Sequence, residues 1–400
     1  MCRNVEESEG CSRLELPNQL PRGGCSWNGF PISSTVVDTV STLGPIRQTY
    51  ARKEDFPPIA RAYTRLSEII RESGLLRRSP VFYLSTGIAI ALALGGAIAG
   101  FVLLGDSWFQ LLMAGALGII FTQIAFLAHE AGHRQILSGG IANDRLARAL
   151  AASVGMSYSW WDAKHSRHHG NPNKVGKDPD IEVDTISFLD EDAAKARGLR
   201  RLITLKQGWF FFPLLTFEGL NLYFHSFKYL LTRGPVKARW AELGMITART
   251  ILVFAPIFMF LPLGKAFAFT GVMVAVFGVY MGASFAPNHK GMPVIAPDAK
   301  LDFFSKQVRT SRNIRGGWWA TALMGGLNYQ IEHHLFPSMA RPQLARTREI
   351  VKEYCETHNV PYTETSLLQS YAIVIDYLNR VGLAARDPFD CPMVAEFRRA

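Results

Sequence analysis

The sequence contains only five cysteines among 400 residues, and no two of them have the C-x-x-C spacing. This set offers no iron–sulfur motif, and its odd number and its position near the chain ends do not suggest a disulfide framework. We therefore predict reduced thiols that bind no cofactor. The five are Cys2, Cys11, Cys25, Cys355 and Cys391.

Charged residues are missing from two long apolar runs. Residues 81–104 and 108–128 contain no Asp, Glu, Lys or Arg, and only Gly105, Asp106 and Ser107 separate them. A helix of about 20 apolar residues crosses the roughly 30 Å hydrocarbon core of a bilayer. The two runs therefore predict two transmembrane helices that form a tight hairpin.

A second apolar pair, 250–264 and 266–286, is divided near Lys265, and it contains no aspartate. We predict an all-α integral membrane protein with four transmembrane helices in two hairpins and a helical cap. The predicted segments are a mobile tail (1–45), an amphipathic segment (46–80), a first hairpin (81–128), a cap segment (129–249), a second hairpin (250–286) and a second cap segment (287–400).

Membrane topology explains the net charge of +10, so nucleic-acid binding is not needed to account for it. Basic residues crowd ahead of residue 81, whereas the turn after the first run offers only Asp106. The positive-inside rule then predicts that both termini and the cap are cytoplasmic. The same basic residues also attract anionic lipid. A smaller part of the positive charge serves to dock an acidic redox protein or an anionic substrate head group.

Eight of the ten histidines fall in four places on the cytoplasmic side of these runs, whereas we assign His225 and His358 structural roles. Residues at i, i+3 and i+4 share one face of a helix, so most of the eight form compact ligand patches. The four places hold His129 with His133, then His165, His168 and His169, then His289 behind Asn288, and finally His333 with His334.

The stretch HEAGH, 129–133, also fits the HExxH zinc-protease motif, in which Glu130 would be the general base. A catalytic zinc takes about three protein ligands, which would leave most of these histidines without a role. Eight imidazoles suffice for two metals at about four nitrogens each. Imidazole suits zinc, copper, iron and nickel alike, but a lipid-level pair of metals favours O₂ activation by iron.

At these residues the chain resembles the membrane-bound fatty acid desaturases, whose three histidine boxes hold a di-iron centre. HEAGH matches the first box, HSRHH at 165–169 the second and QIEHH at 330–334 the third. The flanking stretches WWDAKHSRHHGNPNKVGKDPDI and GGLNYQIEHHLFPSMAR read like the family's extended motifs. The resemblance covers roughly residues 50–360.

The resemblance implies a set of metal-binding residues. Gln330 replaces the first histidine of the third box, as in front-end desaturases. The resemblance implies that Gln330 and Asn288 are each either a weak metal ligand or a residue that holds a neighbouring ligand in place. Asp178 and Asp180 either orient an imidazole or form an exposed turn. Glu130 becomes a residue that supports the ligands or packs the helix. The implied ligands are His129, His133, His165, His168, His169, His289, His333 and His334.

The resemblance also implies the reaction, which is O₂-dependent insertion of a cis double bond into a fatty acyl-CoA or acyl-lipid. The reaction would use two iron ions. Its electrons would come from a separate donor of the ferredoxin or cytochrome b5 type, since the chain has no His-Pro-Gly-Gly haem motif. The chain thus resembles a bacterial front-end type without fused cytochrome b5. A hydroxylase on the same scaffold is the alternative, and a metalloprotease a more distant one.

Overall fold

The computed structural model describes residues 61–386, and these residues are mostly helical. Predictions for the tail 1–45, for residues 46–60 and for the terminal 387–400 lie outside the described residues. A 3₁₀ turn, Leu327–Tyr329, precedes α14. The helices are α1 Ala62–Glu72, α2 Pro80–Leu104, α3 Gln110–Gly132, α4 Gly140–Ser153, α5 Tyr158–Gly170, α6 Asp190–Ala194, α7 Gly198–Thr204, α8 Gln207–Leu215, α9 Glu218–Thr232, α10 Arg239–Phe260, α11 Leu263–His289, α12 Phe303–Thr310, α13 Gly317–Leu323, α14 Gln330–Leu335, α15 Arg341–Thr357 and α16 Leu367–Leu383.

Among the described residues, α2, α3, α10 and α11 are long and apolar enough to cross a membrane. Helix α2 coincides with the first predicted run, and α3 continues past residue 128 to Gly132. The HEAGH motif therefore lies at the C-terminal end of a helix that is long and apolar enough to cross a membrane. At the opposite end of these helices, Lys265 on the first turn of α11 donates to a carboxylate oxygen of Asp106, in the α2–α3 turn, over 2.6 Å.

The predicted bounds of the third apolar run were wrong. Helix α10 begins at Arg239 rather than near residue 250, and it ends at Phe260. Its first turns carry charged side chains that interrupt the apolar pattern. One of them is Glu242, whose carboxylate is bound by Arg148 of α4 and by Ser157, the N-cap of α5. The turn to α11 lies at Leu261 and Pro262, and Lys265 already belongs to α11.

The all-α prediction also needs a small correction, because two three-residue strands pair in parallel. Strand β1, Asn313–Arg315, runs beside β2, Glu364–Ser366, with Ile314 opposite Thr365. Strands of three residues are too short for the alternating pattern that reveals a strand in a sequence. They tie the segment before α13 to the segment before α16.

The predicted amphipathic segment ahead of the first span contains α1, which packs on protein. Ala62, Leu66 and Ile70 are buried at helical spacing, in one cluster with residues of α12, α14 and α15. Tyr63 donates to the carbonyl oxygen of Leu335 at the end of α14, over 3.0 Å. Helix α1 therefore supports the segment that carries the third histidine box.

Helices α8 and α9 approach α11 closely because glycines lie at the crossing. A Cβ atom at Gly278 would lie 2.5 Å from the carbonyl oxygen of Leu215 and 2.6 Å from the backbone nitrogen of Gly219. Neither backbone atom is free to move aside as a flexible side chain does. The crossing sets how close α8 and α9 lie to α11, which ends at His289.

We predict that Gly278→Ala lowers the stability of the detergent-solubilised protein by about 1–3 kcal/mol, the usual cost of overpacking. The matched control is Gly271→Ala on the same helix, where nothing lies within 4 Å of an added Cβ atom. That change is expected to be neutral or slightly stabilising, since alanine favours helix more than glycine does. Thermal unfolding of both variants measures the difference, and equal midpoints would contradict the close crossing.

Candidate metal centre

Five histidines from three segments form one cluster. His129 lies on the last turn of α3 and His133 directly follows that helix. Their Nε2 atoms lie 3.2 and 2.9 Å from Nε2 of His165 on α5. His169, one turn further along α5, and His333 on α14 complete the cluster, which we call the five-histidine cluster. One ligand atom from each residue lies within 4.8 Å of the others.

Three further histidines form a second cluster beside the first. His168 lies on α5, His289 is the last residue of α11, and His334 lies on α14. The Nε2 atoms of His168 and His289 are 3.3 Å apart, and all three rings are buried. We call this set the three-histidine cluster. The structure thus gathers all eight predicted ligands and leaves His225 and His358 outside both clusters.

Hydrogen bonds fix the tautomer of each ring in the three-histidine cluster. Nδ1 of His168 lies 3.0 Å from both carboxylate oxygens of Asp178. Nδ1 of His289 lies 2.9 Å from the carbonyl oxygen of Thr310, and Nδ1 of His334 lies 2.9 Å from Oε1 of Gln307. Each partner accepts a proton, so each Nδ1 donates and a neutral ring keeps its Nε2 lone pair. Three such lone pairs point into one space.

Several ring nitrogens of the two clusters are buried without any hydrogen-bond partner among the described residues. They are both nitrogens of His169 and the Nε2 atoms of His333 and His334. Buried polar atoms in folded proteins are almost always satisfied by protein, water or an ion. Unpartnered imidazole nitrogens that converge in this way fit metal ions.

Burial keeps these imidazoles in the neutral form that binds metal. It lowers the pKa of His133 to about 3, and burial together with the neighbouring histidines lowers the pKa of His165, His169, His333 and His334 well below the ordinary value. His168 differs. Burial lowers its pKa too, but the carboxylates of Asp178 and Asp180 outweigh burial and raise its pKa above the ordinary value.

The stretch GKDPD packs against the second histidine box. Besides His168, the buried Asp178 side chain accepts from the backbone nitrogens of Asn173 and Asp180, at 2.7 and 2.9 Å. Asp180 lies 3.4 Å from Nδ1 of His168 and pairs with Lys164 at 2.9 Å. Asp178 is therefore a buried partner of an imidazole rather than part of an exposed turn.

Gln330 and Asn288 lie at the three-histidine cluster. The amide nitrogen of Gln330 donates to Nε2 of His289 over 2.9 Å, and its oxygen accepts from the Asn288 amide over 3.1 Å. The Asn288 amide also donates to the carbonyl oxygen of Leu327. Gln330 thus shares the space to which the three Nε2 lone pairs point.

Glu130 of HEAGH belongs to neither histidine cluster. Arg341 binds its carboxylate through two nitrogens, at 2.7 and 2.5 Å. The general-base role that HExxH suggests therefore has no support in the structure, because the carboxylate is engaged by a guanidinium. Trp161 stacks on His165 with ring centroids 4.4 Å apart.

Sequence reasoning missed two polar residues that hold the ligands. Gln307 on α12 accepts from His334, as described, and donates to the carbonyl oxygen of His169. The buried guanidinium of Arg312 donates to the carbonyl oxygens of Pro287 and Lys290, around the end of α11 where His289 lies. Neither residue belongs to a histidine motif, and neither has a spacing that reveals its partner.

Comparison with known proteins places these features in context. The model of the fatty acid desaturase family matches residues 106–366. A Delta(8)-fatty-acid desaturase 2 of Arabidopsis thaliana is 28% identical over 84% of this chain and 78% of the relative. An acyl-lipid (9-3)-desaturase of Borago officinalis is 26% identical over 84% and 78%, and a Delta 8-(E)-sphingolipid desaturase of Kluyveromyces lactis is 26% identical over 83% and 61%.

Proposed function

This chain belongs to the fatty acid desaturase family, and we propose that its two histidine clusters hold two iron ions that serve desaturation of an acyl chain in a membrane lipid. The chain is an oxidoreductase, a fatty acid desaturase and a membrane protein with four apolar helices. The observation that carries the proposal is the convergence of eight histidines from four segments into two adjacent clusters. Bound iron would supply the redox chemistry that couples O₂ reduction to the removal of hydrogen from carbon.

The ligand set fits two ions. His129, His133, His165, His169 and His333 would hold one, and His168, His289 and His334 the other. Gln330 would add a weak ligand if its amide turned its oxygen toward the three-histidine cluster, since the amide oxygen and nitrogen exchange places on a half-turn. The turned Gln330 nitrogen would then need an acceptor in place of its present bond from Asn288, and the Asn288 side-chain oxygen, which has no partner among the described residues, would supply it if that amide turned as well.

Hydrogen bonds from the protein would keep the ligand rings oriented for metal binding. Asp178, Gln307 and the carbonyl oxygen of Thr310 hold the Nδ1 protons of three ligands, so that each ring offers Nε2. Burial favours the neutral form of the rings of His165, His169, His333 and His334. The overall change would be R–CH₂–CH₂–R′ + O₂ + 2 e⁻ + 2 H⁺ → R–CH=CH–R′ + 2 H₂O, with electrons from a separate ferredoxin- or cytochrome b5-type protein.

The position of the clusters supports a lipid substrate. His129 and His289 lie on the last turns of two membrane-spanning helices, so an acyl chain would reach the centre from the bilayer. The names of several relatives specify acyl-lipid or sphingolipid substrates. We therefore favour an acyl chain on a membrane lipid over an acyl-CoA. The third box, with Gln330, favours a bond placed between an existing double bond and the carboxyl group.

Topology completes the proposal. The basic residues before α2 and the contact between Asp106 and Lys265 support two membrane hairpins whose cap, centre and termini would be cytoplasmic. The cap would be built from α4–α9 and α12–α16, together with α1. This arrangement would put the centre on the side where soluble or membrane-anchored electron donors are found.

Expression of the full chain in a desaturase-deficient host tests the function. We expect new cis-unsaturated acyl chains in gas chromatography with mass spectrometry, absent from the empty-vector control. Lipid classes separated before this measurement show whether the new bond first appears in membrane lipids or in acyl-CoA. A hydroxylated product in place of an alkene would overturn the desaturation proposal.

A further inference from the structure

A buried ion pair joins the first histidine box to the segment that follows the third. Glu130 lies on α3 between His129 and His133, and Arg341 is the first residue of α15. The guanidinium donates to both carboxylate oxygens, over 2.7 and 2.5 Å, and the two residues are only 2% and 5% exposed. The bidentate geometry fixes the orientation of both side chains as well as their distance.

Neutral hydrogen bonds reinforce this pair between the same two segments. Gln135 donates to the carbonyl oxygen of Pro337 over 2.8 Å. Tyr83 of α2 donates to Gln135 over 3.0 Å, and its hydroxyl accepts from the backbone nitrogen of Arg341 over 3.2 Å. The HEAGH segment is thus tied to the chain after QIEHH at several points.

The tied segments supply ligands to the same metal site. His129 and His133 belong to the first tied segment, whereas His333 lies on α14, directly before the second. The ring centroid of His333 lies 4.8 and 4.7 Å from those of His129 and His133. The three-histidine cluster takes no ligand from α3. A contact that holds α3 against α14 and α15 therefore acts on one cluster and not directly on the other.

We propose that Glu130 and Arg341 are positioning residues that hold the first and third histidine boxes together, so that the five-histidine cluster can bind its metal. This inference rests on the proposed function, because it assumes that both clusters bind iron. A buried pair is a costly way to gain stability alone, but a broken one leaves an uncompensated charge beside the ligands. An arginine is required, because lysine cannot form the two parallel bonds.

The test is the iron content of purified full-length protein in detergent, loaded anaerobically with ferrous iron and freed of excess metal. We expect about two irons per chain in the wild type and about one in Glu130→Gln or Arg341→Gln, with activity about 10- to 100-fold lower. The double variant is expected to lose no more iron than either single variant, since the two residues act as one unit.

Arg348→Gln is the matched control. Arg348 lies on the same helix as Arg341 and also binds a carboxylate through two nitrogens, that of Glu364, at 2.6 and 2.7 Å. Glu364 belongs to β2 and lies outside the three histidine boxes. This variant is expected to lower the unfolding temperature but to retain both irons, so it separates loss of stability from loss of metal.

Two results would overturn the positioning role. One is a full iron content with wild-type activity in Arg341→Gln, and the other is iron loss that simply follows the unfolding temperature in all variants, Arg348→Gln included. If Arg341→Gln does not fold, Tyr83→Phe removes the supporting hydroxyl at nearly constant volume, and full occupancy with unchanged activity there would count against the role. A wild-type protein that binds no iron would overturn the proposed function itself, and the positioning role with it.

Discussion

Replacing His333 or His334 by alanine is expected to abolish desaturation and to leave about one iron per chain. The two residues are neighbours on α14, but His333 belongs to the five-histidine cluster and His334 to the three-histidine cluster. Each substitution therefore removes a ligand from a different site. Activity is expected to fall to background in both variants, because the reaction as proposed needs both irons. Iron analysis and fatty-acid profiling of the same preparations measure the two effects.

Two histidines outside the clusters provide matched controls for these variants. His225 stacks on Trp160, and Nδ1 of His358 donates to the carbonyl oxygen of Tyr354. His225→Ala and His358→Ala should keep both irons and most of the activity. Wild-type activity in His333→Ala would remove the basis for the metal centre, whereas equal losses in all four variants would point to general misfolding.

Replacing Glu242 by alanine is expected to destabilise the folded protein by about 3–5 kcal/mol, the range for a buried ion pair that loses one partner. Glu242 is fully buried on the first turn of α10. Its carboxylate accepts from Arg148 over 2.9 Å and from the hydroxyls of Ser157 and Ser159 over 2.5 and 2.6 Å. The variant would leave the Arg148 cation, which is largely buried, without this partner.

The same change should disturb the second histidine box. Ser157 is the N-cap of α5, and that helix carries His165, His168 and His169. Thermal unfolding in detergent measures the stability, and iron content measures the effect on the box. Asp376→Ala is the control, because it removes an exposed pair with Arg380 that is worth about 0–1 kcal/mol. A loss of less than about 1 kcal/mol in Glu242→Ala would contradict the anchoring role.

Patterns of short range revealed much of this molecule in the sequence. The uncharged runs predicted α2 and α3, because a membrane helix is defined by its own composition. The i, i+3 and i+4 spacing of the histidines predicted the ligand patches on α3, α5 and α14, since a helix brings these positions to one face. The structure gathers the eight predicted ligands without adding another histidine.

Contacts between distant segments left no trace in the sequence. The Glu130–Arg341 pair spans 211 positions, and the Ser157–Glu242 bond spans 85. No local period links such residues, so Glu130 looked like part of a protease motif and Glu242 like an interruption of an apolar run. The start of α10 was misplaced for the same reason. Charges that a tertiary partner binds are indistinguishable, in a sequence, from charges at a helix boundary.

Neighbouring residues on two helices are divided between the two histidine clusters. Consecutive residues on an α-helix diverge by about 100° around its axis. His168 and His169 on α5, like His333 and His334 on α14, therefore point into different clusters. Neighbouring rings on each of these two helices would therefore serve different ions, so the same two backbones would support both sites.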